Sequence, residues 1–208
     1  MKIDIISHIG AITRAVENRE HNGRKARAVL ATRTYDTDPG DLWDAITSPE
    51  RIPRWFLPVS GELRLGGRYQ LQGNAGGEIT ACEPPRRLAL TWEFGGEVSW
   101  VTVQLSEDQG KTRLELEHLA HVGDDRWEQF GPGAVGVGWD LTLLGLAQHV
   151  SGAMGDPAEG MAWSMSDDGK QFIRGSSDGW ARASVAAGTA EPAARAAADR
   201  TTAFYTGG

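Results

Sequence analysis

Two hydrophobic periods alternate along this chain. Ile5, Ile9, Ile12 and Val16 recur every three to four residues behind Asp4. That spacing predicts a short amphipathic helix over residues 4–18, with a strand as the rival reading. The polar stretch ENREHNGRK ends the pattern, and ARAVLATRTYD (26–36) then alternates as a strand does. Asp38 or Asp41 caps a helix through DLWDAIT, and a second short helix at ERIPRWF is irregular because Pro53 lacks a backbone donor.

From residue 60 to 119 the period shortens to two. GELRL, GRYQLQ, GEITACE, RRLALTWEF, EVSWVTVQL and KTRLELEHL read as strands of an antiparallel meander, punctuated by Gly66-Gly67, Gly76-Gly77, Pro84-Pro85, Gly95-Gly96 and Asp108-Gln109-Gly110. Leu88, Leu90, Trp92 and Phe94 share one face of their strand; Leu114, Leu116 and His118 share one face of theirs. At EVSWVTVQL either Val98, Trp100 and Thr102 or the more apolar Val101, Val103 and Leu105 turn inward.

The helical period returns in GAVGVGWDLTLLGLAQHV. Val135, Trp139, Leu143, Leu146 and Val150 form one stripe, and Val137, Leu141 and Leu144 form a second on the opposite side, so this helix is expected between two layers. The tail has helical patterns around FIRGSSDGWARASVAAG and PAARAAADRTTAF. Eleven alanines between 181 and 203 allow close helix contact, so the outer stripe is covered by this tail or by a second copy of the chain, a homodimer.

Composition narrows the function classes. A formal charge of −7 repels phosphate backbones, so nucleic acid is not an expected partner. No run of 18 apolar residues exists and Asp4, His8 and Arg14 interrupt the amino terminus, so neither a membrane span nor a secretory leader is expected and the location is read as cytoplasmic. The single cysteine, Cys82, agrees with a reducing compartment. Eight tryptophans and 27 glycines are the outliers. Rings between a sheet and a helix, with side chains missing at Gly136, Gly138 and Gly145, can leave a ligand cavity.

Three motifs are weighed against their context. Gly131, Gly133 and Gly136 spell G-x-G-x-x-G but follow no strand directly, and Pro132 removes an amide, so packing is the expected role and no nucleotide cofactor is assigned. Gly175, Ser177 and Gly179 spell G-x-S-x-G without the strand-turn-helix setting of a nucleophile elbow. His118 and His121 lie among Glu115, Glu117, Asp124 and Asp125, but strand alternation separates them, and no metal is assigned. His118, on the inward face, needs a buried protein group or a bound molecule as partner.

At WDAITSPERIPRWFLPVSGELRLGGRYQ (43–70), ITACEPPRRLALTWEF (79–94), LELEHLAH (114–121) and GWDLTLL (138–144), the chain resembles bacterial homologues of the activator of the heat-shock-protein-ninety ATPase, in the SRPBCC superfamily of START and birch-pollen-allergen proteins. The resemblance covers residues 24–150. It implies an α+β helix-grip fold: a curved antiparallel sheet of about six to seven strands around a long carboxy-terminal helix, enclosing a hydrophobic cavity. The organisation expected is a helical or strand segment at 1–23, the helix-grip domain at 24–152 and a helical extension at 153–208 packing on it. Relatives include carriers, cyclases, resistance proteins and a co-chaperone domain. The co-chaperone has a further amino-terminal domain not seen here, which counts against a chaperone partner.

The first functional expectation is non-catalytic binding of a small hydrophobic molecule, with Trp55, Phe56, Arg68, Tyr69, Trp92, Phe94, His118 and Trp139 as ligand-binding residues. The alternatives are a cyclase- or aromatase-like enzyme using His118 as acid or base, and a module that modulates a chaperone or regulator through protein contact.

Overall fold

The computed structural model describes residues 3–153 and 157–208. Residues 1–2 of the expected amino-terminal segment and 154–156 of the expected extension therefore lie outside the described residues. Asp4 starts α1 (Ile5–Gly10), its carboxylate accepting from the Ser7 amide at 3.1 Å and the Ser7 hydroxyl at 2.7 Å. The helix does not run on to residue 18. From Thr13 the chain is extended as β1 (Thr13–His21), and Asn22 and Gly23, with φ of 53° and 70°, turn it into β2 (Arg24–Tyr35). A two-residue Asn-Gly turn with both φ positive is the preferred hairpin connection, and the ladder it sets up outweighs the helical spacing of Ile12 and Val16.

Asp38 caps α2 (Pro39–Thr47), accepting from the Gly40 and Asp41 amides. ERIPRWF contains one 3-10 turn, Ile52–Arg54, as the proline requires. Then follow β3 (Val59–Gly61), β4 (Arg68–Leu71), β5 (Gly76–Glu83), β6 (Arg87–Phe94), β7 (Glu97–Asp108) and β8 (Lys111–Ala120). Most of GELRL is not a strand. Gly61 has φ of 107°, and a Cβ there would lie 2.2 Å from the Arg68 carbonyl oxygen, so the chain leaves the ladder. Gly76 and Gly77 open β5 instead of separating strands, because a Cβ at Gly77 would meet the Thr91 carbonyl oxygen at 2.0 Å.

The eight strands form one curved antiparallel sheet in the order β1-β2-β8-β7-β6-β5-β4-β3, one strand beyond the six to seven expected. The added strand is β1. Helices follow as α3 (Asp124–Phe130), α4 (Gly133–Val150), α5 (Pro157–Ser164), α6 (Asp167–Ala186) and α7 (Glu191–Thr206). No helix among the described residues is long and apolar enough to cross a membrane.

Two compact units are present. One gathers Met1–Ala31, His121–Leu144 and Ala158–Gly208; the other gathers Thr32–Ala120 and Gly145–Pro157. In the first, Leu141 and Leu144, from the second stripe of α4, pack with Phe172 and Trp163 of the tail and with Ile3, Ile5 and Ile9. The glycines of both motifs are places where another side chain enters. A Cβ at Gly136 would lie 2.3 Å from the Trp180 ring, one at Gly175 would lie 2.4 Å from Ile9 Cδ1, and one at Gly179 would lie 3.0 Å from an Arg14 nitrogen. The space beside Gly136 and Gly138 is thus taken by Trp180 and Tyr205.

The same unit buries a charge pair. Arg14 Nε donates to Asp140 Oδ2 at 2.8 Å, with side-chain exposures of 6 % and 0 %. Ser176 and the Trp180 indole also donate to that oxygen, at 2.5 and 3.2 Å. Arg14 donates as well to the Ile9 and Ile12 carbonyls where α1 ends. Burial raises the Asp140 carboxyl above its ordinary range, against the pull of Arg14, Ser176 and Trp180.

Candidate functional site

The second unit places an apolar layer and a buried histidine on one face of the sheet. Ladder register sets this directly: Leu90 opposes Val101, Trp92 opposes Ser99, Val101 opposes His118, and Val103 opposes Leu116. Directly opposed residues share a face, so Leu88, Leu90, Trp92, Ser99, Val101, Val103, Leu105, Leu114, Leu116 and His118 form one surface. Of the two readings of β7, the apolar one holds: Val101 and Leu105 are buried while Val98 is 49 % exposed. The layer continues into Tyr69, Leu71 and Ile79, against which Phe56, Leu57, Val59, Leu63, Cys82, Leu88, Leu90 and Trp92 pack.

Coverage of this surface is uneven. Val101, Leu105, Leu114 and Leu116 are buried, whereas Leu88, Leu90, Trp92, Ser99 and Val103 are only half-buried. His118 stands between the two parts. It is 6 % exposed, its Nε2 is 2.8 Å from Ser99 Oγ, and its ring centroid is 6.0 Å from that of Trp92. Ser99 has one proton and donates it to the Trp92 carbonyl at 3.1 Å. The hydroxyl therefore accepts from His118, which places the imidazole proton on Nε2. Desolvation pushes the histidine down to about 4, so the ring is neutral near pH 7.

The other expected residues fall in several places. Trp55 and Phe56 stack at 5.7 Å between centroids, and the Trp55 indole donates to the Ala45 carbonyl at 3.0 Å, tying the 3-10 turn to α2. Tyr69 is buried and donates to the Thr91 carbonyl at 2.8 Å; burial raises its phenol. Arg68, adjacent to Tyr69 on β4, alternates to the other face and donates to Glu93 at 2.7 Å. Phe94 ends β6 and is 58 % exposed. Trp139 is buried on α4, within the first unit. Ser99, the partner of His118, was not anticipated; it becomes visible only once the β7–β8 register is known.

His121 lies apart from His118, in the first unit, with its Nδ1 at 2.9 Å from the Lys25 carbonyl oxygen. Among the described residues no three His, Cys, Asp or Glu gather as a metal site. G-x-S-x-G lies inside α6, with Ser177 buried at 1 % exposure.

The family model for "Activator of Hsp90 ATPase homolog 1-like protein" matches residues 36–151, more than half of the chain. The crystal structure of CalU16 from Micromonospora echinospora is similar at 34 % identity, covering 86 % of this chain and 99 % of that one with a TM-score of 0.68. Protein MLL2253 from Mesorhizobium loti is similar at 25 % identity, covering 60 % and 97 %, with a TM-score of 0.55. DynU16, described as a putative protein in the dynemicin biosynthetic locus, shares the fold at 21 % identity, covering 61 % and 48 %, with a TM-score of 0.52. No curated protein matches the sequence. On the family match and the CalU16 alignment together, this chain belongs to the Activator of Hsp90 ATPase homolog 1-like family, with the SRPBCC fold.

Proposed function

We propose that this chain binds a small, largely apolar molecule, without transforming it, over the half-covered part of the sheet face in the second unit. The observation that supports this reading is the change in coverage across one continuous surface: Leu88, Leu90, Trp92 and Val103 remain partly open beside a buried His118–Ser99 pair. An apolar wall with one oriented polar pair is the composition of a small-molecule site. Covering about 200 Å² of ligand there yields roughly 5 kcal/mol before association costs, so micromolar affinity requires a close fit. Trp55, Phe56 and Tyr69 extend the apolar wall in this proposal, and His118 with Ser99 holds the polar end. Phe94 continues this wall at its open end, whereas Arg68, on the other face of the sheet, and Trp139, in the first unit, fall outside the proposed set.

The state of His118 supports holding over proton transfer. Burial, not a neighbouring carboxylate or cation, sets its pKa at about 4. That is far below the near-neutral value suited to an acid–base catalyst at pH 7. The test is titration with the uncharged fluorophore N-phenyl-1-naphthylamine, followed by displacement with a library of hydrophobic metabolites. Saturable binding weakened about tenfold by Trp92→Ala, equivalent to about 1.4 kcal/mol, is expected. Binding of equal strength in wild type and Trp92→Ala contradicts the proposal.

A further inference from the structure

A second hollow lies wholly within the first unit, bounded by α3, the start of α4, α6 and α7, with a volume of about 410 Å³. That volume falls in the range of small-molecule pockets, about 300–1,000 Å³. Its walls are the rings of Phe130 and Trp180 and the small side chains of Ala194, Ala197 and Ala198, which leave the room between α6 and α7. Alanine on three positions of α7 gives close backbone approach without filling the space.

Several polar groups at this hollow are already committed. The Trp180 indole donates to Asp140, Ser184 donates to Thr189 at 2.9 Å, and Arg200 donates to the carbonyls of Gln129 and Glu128 at 2.6 and 2.9 Å. The lining also includes the exposed Glu128 and the half-buried Trp127. Among the buried groups Ser177 is the exception. It lines the hollow, is 1 % exposed, and its hydroxyl has no partner among the described residues. Neighbouring Ser176, by contrast, is bonded to Asp140. A buried hydroxyl without a partner is uncommon and calls for an acceptor.

We infer that this hollow is a second binding site, taking an uncharged aromatic molecule whose single carbonyl oxygen accepts from the Ser177 hydroxyl. The rings and alanines supply the apolar enclosure. A carbonyl needs only one donor, which matches the one buried hydroxyl without a partner, and a neutral ligand meets no repulsion from the Glu128 carboxylate and leaves no ion to compensate beside an arginine already engaged. Nothing in this site depends on the sheet face of the other unit.

The experiment is a ¹⁹F NMR titration of the full chain with 4′-fluoroacetophenone and with 4-fluoro-α-methylstyrene, in which a CH₂ replaces the carbonyl oxygen. Wild type should bind the ketone roughly two- to tenfold tighter, the effect of one net hydrogen bond. Ser177→Ala removes a hydroxyl with no protein partner and should fold normally; its preference for the ketone should vanish. Ala197→Leu, or Ala193→Leu nearer the rim if the first does not fold, should weaken both probes at least tenfold, and Trp92→Ala should change neither. Equal affinities in wild type, a preference that survives Ser177→Ala, binding indifferent to the leucine substitutions, or no binding of either probe would each overturn the inference.

Discussion

Asp140 and His118 are buried ionisable side chains in different units, and burial drives both toward the neutral form by opposite shifts: the carboxyl rises and the imidazole falls. What surrounds them differs. Asp140 Oδ2 receives a guanidinium from β1 and a hydroxyl and an indole from α6. His118 meets the neutral Ser99 hydroxyl beside a half-open tryptophan. The first arrangement ties β1, α4 and α6 together; the second leaves an oriented ring next to uncovered apolar surface. Buried polarity marks a ligand site only where the adjoining surface is incompletely covered.

Substitution at Asp140 should have the largest effect. Asp140→Ala leaves Arg14 buried without its counter-charge and is expected to cost about 3–5 kcal/mol in urea unfolding. Replacing the pair together, Arg14→Met with Asp140→Leu, should recover most of that loss, since the pair contributes through compensation more than through net attraction. A similar loss in the double variant would show that the pair itself supplies the stability.

His118 gives the next effect, through pH. Its folded pKa, about 4, lies below the ordinary 6.5, so its contribution is full above pH 6.5, declines as the unfolded chain takes up a proton below that, and is lost by about pH 4. The integrated loss is roughly 3 kcal/mol. His118→Gln should remove this part of the pH dependence, measured as the difference in unfolding free energy between pH 7 and pH 4.5 for the two proteins. Parallel profiles would show that His118 is not desolvated as described.

The smallest effects come from the motif glycines. Gly136→Ala forces a methyl against the rigid Trp180 ring and should cost about 1–3 kcal/mol, despite the better helix propensity of alanine. Gly175→Ala meets the end of the Ile9 side chain, which can rotate, so thermal unfolding should shift little or even upward. Equal destabilisation by both would remove the distinction between a rigid and a yielding neighbour.

The parts of this molecule legible in the sequence were those set by local periodicity. Alternation in β6 to β8 placed Leu114, Leu116 and His118 on one face, and the second stripe of α4, Leu141 and Leu144, packs with the tail as its apolar spacing foretold. The β1–β2 hairpin was missed because its Asn22-Gly23 signal sits inside a polar stretch that reads as a break, while Ile12 and Val16 fit a helix by chance of spacing. The extent of GELRL was misread because the approach of Gly61 to Arg68 is a tertiary constraint. Contacts distant along the chain left no signal: Arg14 and Asp140 are 126 positions apart, and Ser99 and His118 are 19 apart, joined by ladder register.

The most direct measurement is the ¹⁵N spectrum of the histidine rings during titration with N-phenyl-1-naphthylamine, with His118→Gln identifying the His118 signals. The account predicts that the His118 resonances move saturably with the fluorescence isotherm and that the Trp92 indole moves with them. Probe binding that leaves His118 and Trp92 unshifted would place the ligand elsewhere and contradict the proposed site.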